Sequence, residues 1–188
     1  VILFQVGLIT DVRAGSKPSL TKGQERILKL AYIEGSRIGY PETVQAIVWQ
    51  ETHAGNYKWN KYGIVGDSNG HSLGEKSYGV GQVRLSTAKF VLKRYSYLGT
   101  FPDDEHLLVA LLTDDHFNLS IVAHYFKMQV EAFENPGAWG KSVLAYNVGP
   151  GNVKRRGTGF DPNRYIDKVW IHIRTIVRPF NKGKYLIK

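Results

Sequence analysis

The sequence predicts a mainly α domain interrupted by one small β or loop insertion, and three observations carry that expectation. Apolar residues recur at helical spacing in most stretches between Thr21 and Val177. No alternating series is long enough for a large sheet. One segment, Asn56 to Ser77, changes character and is dominated by glycines and polar residues, among them Gly63, Gly66, Asp67, Asn69, Gly70 and Gly74. At 188 residues and 43% hydrophobic content the chain can fill a single core, so one domain is expected.

The elements follow in order. Val1 to Thr10 is apolar but far shorter than the ~20 residues that span a bilayer. Residues 1–20 are an N-terminal arm packed on the domain, or the remnant of a processed segment cut near Ala14-Gly15, a site that Asp11 and Arg13 fit poorly. Residues 21–188 form the domain. Ser16 to Lys22, with Pro18, leads into a first helix from Thr21 to Arg37 whose inner face is Ile27, Leu28, Ala31 and Tyr32. After Gly39-Tyr40-Pro41 a second helix begins at Pro41 and stops near Gly55. Helical periodicity resumes from Leu85 to Tyr97. A longer helical region starts at Pro102-Asp103-Asp104-Glu105, where Asp103 suits the cap, and runs towards Phe133; its many apolar positions make it the expected buried centre. Asn135-Pro136-Gly137 ends it, a short helix Ala138 to Tyr146 follows, and Gly149-Pro150-Gly151 stops that one. A last helix, Pro162 to Val177, precedes a basic tail.

Composition narrows the function classes. The chain has no cysteine, which removes disulfides and thiolate metal sites. The net charge of +9 points to an anionic partner: nucleic acid, an acidic membrane surface or an acidic wall polymer. The basic residues are spread out, apart from Lys154-Arg155-Arg156, and no nucleic-acid motif accompanies them, so nucleic acid is not expected. Asp114, Asp115 and His116 are adjacent on a helix and point apart, so neither a metal nor another cofactor is expected.

One stretch of the second helix places a carboxylate where it is uncomfortable. Val44, Ile47, Val48 and Glu51 share the i, i+3, i+4, i+7 face, and Glu51 lies at the negative end of the helix dipole. Burial and the dipole both disfavour the anion, which would raise the pKa of Glu51 and keep a proton for general-acid catalysis. The plain alternative is a glutamate whose stem packs and whose head reaches solvent. Three more stretches stand out: Ser77-Tyr78-Gly79-Val80-Gly81-Gln82-Val83, where glycines let a bulky ligand approach backbone; Ala145-Tyr146-Asn147-Val148-Gly149; and Arg164-Tyr165-Ile166-Asp167-Lys168-Val169. Taken singly, these read as a turn, a helix cap and a core tyrosine.

In sequence order, the four stretches resemble the catalytic domain of the soluble lytic transglycosylases, goose-lysozyme-like glycosidases of the lysozyme superfamily. The resemblance covers about Gln24 to Arg178. Glu51-Thr52 matches the family's Glu-Ser at a helix end, Gly79-Val80-Gly81-Gln82 its Gly-Leu-Met-Gln, Ala145 to Gly149 its Ala-Tyr-Asn-x-Gly, and Tyr165 its helical tyrosine. The resemblance implies a lysozyme-like α+β domain, mainly α with a small β or loop insertion, in which Glu51 is the catalytic acid/base. It also implies that Ser77, Tyr78, Gln82, Tyr146, Asn147 and Tyr165 position that acid and the sugar, with the Tyr146 hydroxyl on the Glu51 carboxylate. Gly81 departs from the family's Met, which removes or replaces a wall of the cleft. The implied reaction cleaves the β-1,4 bond between N-acetylmuramic acid and N-acetylglucosamine in peptidoglycan strands with closure of a 1,6-anhydro ring. The implied setting is extracytoplasmic or phage-associated, including a place in a larger wall-penetrating assembly.

A goose-type lysozyme is the rival enzyme, since Gln50-Glu51-Thr52-His53-Ala54-Gly55 resembles that group's Arg-Glu-Ser-His-Ala-Gly. Hydrolysis needs a second carboxylate to activate water, and Asp67 is the candidate; a further acid of that group is Arg84 here. A peptidoglycan-binding module without activity is the third reading. His53 projects from another side of the helix than Glu51 and reads as a surface or cleft-rim group rather than a proton relay. Of the tryptophans, Trp49, Trp139 and Trp170 read as core, and Trp59 as a cleft residue.

Overall fold

The computed structural model describes residues 19–56, 64–65, 76–133, 138–161 and 163–187. The fold is mainly helical. A two-residue strand β1 (Ser19–Leu20) leads into helix α1 (Lys22–Arg37). The helix opens with a capping box: Thr21 Oγ1 accepts from the Gln24 amide, and the Gln24 side chain accepts from the Thr21 amide, both at 3.1 Å. Ile27, Leu28 and Ala31 are buried as their spacing predicts, but Tyr32 is 45% exposed rather than on the inner face. It lies one position past Ala31, at the edge of the buried stripe, and turns outward.

Helix α2 (Pro41–Thr52) starts with proline at its first turn and packs most extensively on α1. Its burial goes beyond an apolar stripe, because every residue from Thr43 to Trp49 is buried. The two polar residues in that run have partners. The Gln45 amide donates to Leu28 O (3.0 Å) and exchanges hydrogen bonds with Asn181, and Thr43 Oγ1 accepts from Trp139 Nε1 at 3.1 Å. A helix buried all round is held in place by its neighbours, which makes its C-terminal end a rigid platform.

Three two-residue strands form a small antiparallel sheet in the order β2 (Ile64–Val65), β3 (Ser77–Tyr78), β4 (Val83–Arg84), with Ile64 opposite Tyr78 and Tyr78 opposite Val83. Helix α3 (Leu85–Arg94) follows directly and gives way to a 3-10 turn, Ser96–Leu98. The long region after Pro102 is two helices, α4 (Asp104–Thr113) and α5 (Asp115–Phe133). The break is at Asp114, whose backbone is extended and whose carboxylate accepts from the Phe117 amide at 3.0 Å, so one residue ends α4 and caps α5. Helix α5 is the expected buried centre, with Leu119, Ile121, Val122, Ala123 and Phe126 fully enclosed, and it shares that role with α2.

A buried carboxylate ties α1 to α5, and nothing in the periodicity announces it. Glu34, fully enclosed, meets Arg37 Nη1 at 2.8 Å, His116 Nε2 at 2.9 Å and Ser120 Oγ at 2.9 Å. Removing its partners would strand a charge in the core at a cost of about 3–5 kcal/mol.

Helix α6 (Trp139–Val148) runs two residues further than expected, so Asn147 sits in its last turn. Gly149-Pro150-Gly151 ends α6 but also starts α7 (Pro150–Arg156), because proline at the first helical position needs no amide donor. The last helical stretch begins at α8 (Tyr165–His172), where Asp161 accepts from the amides of Tyr165 (2.7 Å) and Ile166 (2.9 Å). It continues through a π-helical segment, Ile173–Val177, into α9 (Arg178–Asn181). The tail ends as β5 (Leu186–Ile187), which pairs in parallel with β1. Leu20 is buried, so the chain is already packed on the helices just before Thr21. Among the described residues no helix is long and apolar enough to cross a membrane.

Candidate active site

Helices α3, α5, α6 and α7 and the small sheet converge on the C-terminal end of α2. There Glu51 lines a cleft of about 620 Å³ together with Ser77, Gln82, Tyr146 and Asn147. The wall is completed by the β4–α3 junction (Val83, Arg84, Ser86, Thr87), by Val122 and Tyr125 of α5, and by Asn152, Arg156 and Phe160 at and after α7.

Helix α2 stops immediately after the carboxylate. His53 takes the left-handed conformation (φ 52°) and caps the helix, and Ala54 follows it there (φ 56°). Two consecutive non-glycine residues at positive φ are costly and persist only where surrounding contacts hold them. Here the Gln24 side chain donates to His53 O at 3.0 Å, and Gly55 N donates to Thr52 Oγ1 at 3.0 Å. The sharp stop leaves Glu51 in the last turn facing the cleft. Burial raises its carboxyl from the ordinary 4.5 to about 7, while the Tyr165 hydroxyl pulls the other way by donating to Glu51 Oε1 at 2.6 Å. The same group is therefore partly protonated at neutral pH, and its anion keeps one strong hydrogen bond. It can give a proton and take one back.

Tyr165 is buried, and its hydroxyl is pushed up by burial and the adjacent Glu51 charge, so it remains a donor across the working range. The expected partner of Glu51 was Tyr146, and the structure assigns that contact to Tyr165 instead. The Tyr146 hydroxyl donates to Gly81 O at 3.1 Å, and its ring packs on Tyr125 at 5.4 Å between centroids. It lies close enough for the Glu51 charge to raise its pKa, after burial, but it serves the glycine turn.

That turn is fixed from below by Asn118, which the sequence reading did not single out. Its amide nitrogen donates to Tyr78 O (2.9 Å) and Leu111 O (3.0 Å), and its oxygen accepts from Gly81 N (2.9 Å). Thr52 Oγ1 adds a bond to Val80 O at 2.7 Å, tying the turn to the residue beside Glu51. The two glycines are needed for this approach. A Cβ on Gly79, at φ +70°, would lie 2.3 Å from Asn118 Nδ2 and Leu111 O, and one on Gly81 would lie 2.1 Å from Val122 Cγ2. Val122 occupies the space a side chain at 81 would need, and Val122 itself lines the cleft. At Gly81, where a cleft wall is expected to be missing or replaced, Val122 of α5 takes up the space. Gln82, left-handed at φ 51°, bonds back to Gly79 O at 2.9 Å and turns towards the cleft.

The remaining expectations divide. Asn147 is exposed on the cleft wall. Tyr78 does not reach the cleft: it is 1% exposed and packs in the core, because its neighbour Ser77 takes the outward side of β3. Asp67 and Trp59 lie outside the described residues. Arg84 faces the cleft where the goose-type pattern has an acid. Asp114, Asp115 and His116 point to separate partners, a helix cap, Arg26 and Glu34. Among the described residues no group of three or more His, Asp or Glu is arranged to hold a metal. His53 stacks beside Trp49 at 5.5 Å and has its pKa lowered by burial; it is not part of the cleft lining. Nearby His172 donates from Nε2 to Gln50 Oε1 at 2.9 Å and is held down to about 4 by burial, His53 and Lys168. Trp49 and Trp139 pack in the core, but Trp170 is 43% exposed, stacked edge-on against Trp139 and covered by Arg178.

No protein-family model matches the chain, and comparison with curated proteins and with solved structures gives no match either.

Proposed function

We propose that the protein is a peptidoglycan lytic transglycosylase with a lysozyme-like fold. The observation that carries the reading is a single carboxyl group, Glu51, that faces an open cleft with its pKa raised to about 7 and a tyrosine hydroxyl 2.6 Å away. Among the described residues no second carboxylate lines that cleft. One acid suffices when the substrate supplies its own nucleophile.

In this mechanism protonated Glu51 gives its proton to the glycosidic oxygen between N-acetylmuramic acid and N-acetylglucosamine as that bond breaks. The resulting carboxylate, held by Tyr165, takes the proton from the muramyl C6 hydroxyl as that oxygen closes on C1. Atoms and charge balance without water, and Glu51 returns to its acid form. Gln82 and Asn147 stand where they can donate to sugar hydroxyl and N-acetyl groups. The net charge of +9 suits strands flanked by acidic peptides. This reading places the protein outside the cytoplasm or on a phage particle, and suits a member of a wall-penetrating assembly.

Mass spectrometry of the products released from purified cell wall tests the proposal. Anhydro-muramyl ends support it. Reducing ends would make the protein a hydrolase, with Asp67 as the base and Asp67→Asn inactive; intact glycan would make it a binding module.

A further inference from the structure

The cleft carries positive charge that the acid–base chemistry does not use. Arg84 enters it from the β4–α3 junction and Arg156 from the end of α7, and both side chains are exposed there. Among the described residues neither guanidinium has an ion-pair partner, whereas many other arginines do: Arg26 with Asp115, Arg37 with Glu34, Arg94 with Glu131, Arg164 with Asp167 and Arg178 with Glu42. Neither is among the groups that perturb Glu51, whose carboxyl responds to burial and to Tyr165.

Arg156 is also held in place. Its guanidinium lies 4.3 Å from the centroid of the Phe160 ring, another cleft residue, which orients the planar fork and spares part of the ordering cost on binding. Its two neighbours are otherwise engaged: Arg155 donates to Asn152 Oδ1 at 2.6 Å and Lys154 lies over Phe133. Of the basic run 154–156, only Arg156 lines the cleft.

We propose that Arg84 and Arg156 form a carboxylate-recognition pair that selects acidic glycan strands over neutral ones. A guanidinium in a cleft matches a carboxylate with two parallel N–H···O bonds and gives no such bonds to a neutral hydroxyl or amide. In the wall polymer the carboxylate has two sources, the lactyl group on the muramyl sugar itself and the acidic residues of the stem peptide. This inference rests on the glycosidase reading for its choice of glycan, but it is tested by binding alone.

The test uses the full chain carrying Glu51→Gln, so that strands are not consumed, and calorimetric titration with four probes. These are peptide-bearing strands, strands stripped of peptide so that the lactyl carboxylate is free, and each of the two with its carboxylates converted to methylamides. Each acidic form that the pair reads should bind about tenfold more tightly than its methylamide. The added changes Arg84→Gln and Arg156→Gln should cut that ratio to within about twofold while leaving affinity for the methylamides unchanged. Preference for the stripped acidic strands identifies the lactyl group, and preference for peptide-bearing strands alone identifies the stem peptide; either supports the pair. Equal binding of acidic and neutral strands overturns it, and so does a preference that survives both substitutions. If carboxylate-dependent binding is found but wild-type protein releases no products, the glycosidase reading fails and the recognition pair stands. If acidic and neutral strands are bound and cleaved alike, the enzyme reading stands and the pair fails.

Discussion

Replacing Glu51 with glutamine should stabilise the protein at alkaline pH while abolishing its chemistry. In the folded state burial raises the Glu51 pKa from 4.5 to about 7. Between those two values the folded chain binds more protons at this site than the unfolded chain, so stability falls as pH rises through the interval and stays low above it. At ~1.36 kcal/mol per pKa unit, the full penalty above pH 8 is about 3 kcal/mol at most, and partial solvent access reduces it. Glutamine has nearly the same shape, can accept the Tyr165 hydrogen bond and carries no charge. Wild type and Glu51→Gln should therefore melt together near pH 4 and separate progressively above pH 5. At roughly 2–4 °C per kcal/mol for a domain of this size, the variant should melt about 5–10 °C higher at pH 8. Other titrating groups are common to both proteins, so the difference isolates Glu51. Scanning calorimetry across pH 4–9 measures it, and cleavage of purified wall on the same samples should show a loss of at least about 10²-fold. Parallel melting curves from pH 5 to 8 would refute the claim that this carboxyl is desolvated, and with it the basis for a proton at neutral pH.

Two further substitutions probe the groups around the acid. Tyr165→Phe removes the hydroxyl that donates to Glu51 at 2.6 Å, so the alkaline limb of the pH–kcat profile should move up by about one to two pH units and kcat should fall about tenfold to a hundredfold; Tyr146→Phe, whose hydroxyl serves Gly81 O, should leave that limb in place. An unmoved limb in the first variant, or a moved one in the second, would reverse the two assignments. Gly81→Ala pushes a methyl into Val122 Cγ2 and should cost roughly 1–3 kcal/mol in urea unfolding, with part of that recovered by adding Val122→Ala; additive losses would show that the two positions do not compete for one space.

Much of the helical framework was legible because it rests on local signals: Thr21 with Gln24, Pro41 at a first turn, Asp103 as a cap and the apolar spacing along α5 all act within a few residues. The misses came where one residue serves two elements. Asp114 ends a helix and caps the next, and Pro150, which reads as a stop, is also a permitted start. The candidate site was legible as a set of residues and less so as a set of contacts. Glu51, Ser77, Gln82, Tyr146 and Asn147 share a cleft, but two tyrosines approach the same carboxylate and only tertiary geometry decides which one touches it. Tyr78 is buried where the resemblance implies a positioning residue, because a two-residue strand gives no period from which to tell inward from outward.

Asn118 was invisible for a different reason, and it explains how the site tolerates its own cost. In sequence it is one polar residue on an apolar helix, which reads as a defect. In the fold it answers a loop and a helix end at once, joining Tyr78, Leu111 and Gly81 with three hydrogen bonds. Thr52 does the same from α2 through Val80. These side chains satisfy backbone groups that the glycine turn would otherwise leave buried and unpaired, each a penalty of about 1–3 kcal/mol. They also hold the turn against the end of α2. A carboxyl can be kept desolvated only if the structure around it cannot relax to let water in or swing the side chain out. The buried circumference of α2, the left-handed stop at His53 and Ala54, and the Asn118 clamp act together in that way, so the residues that raise the Glu51 pKa and those that close the core are largely the same.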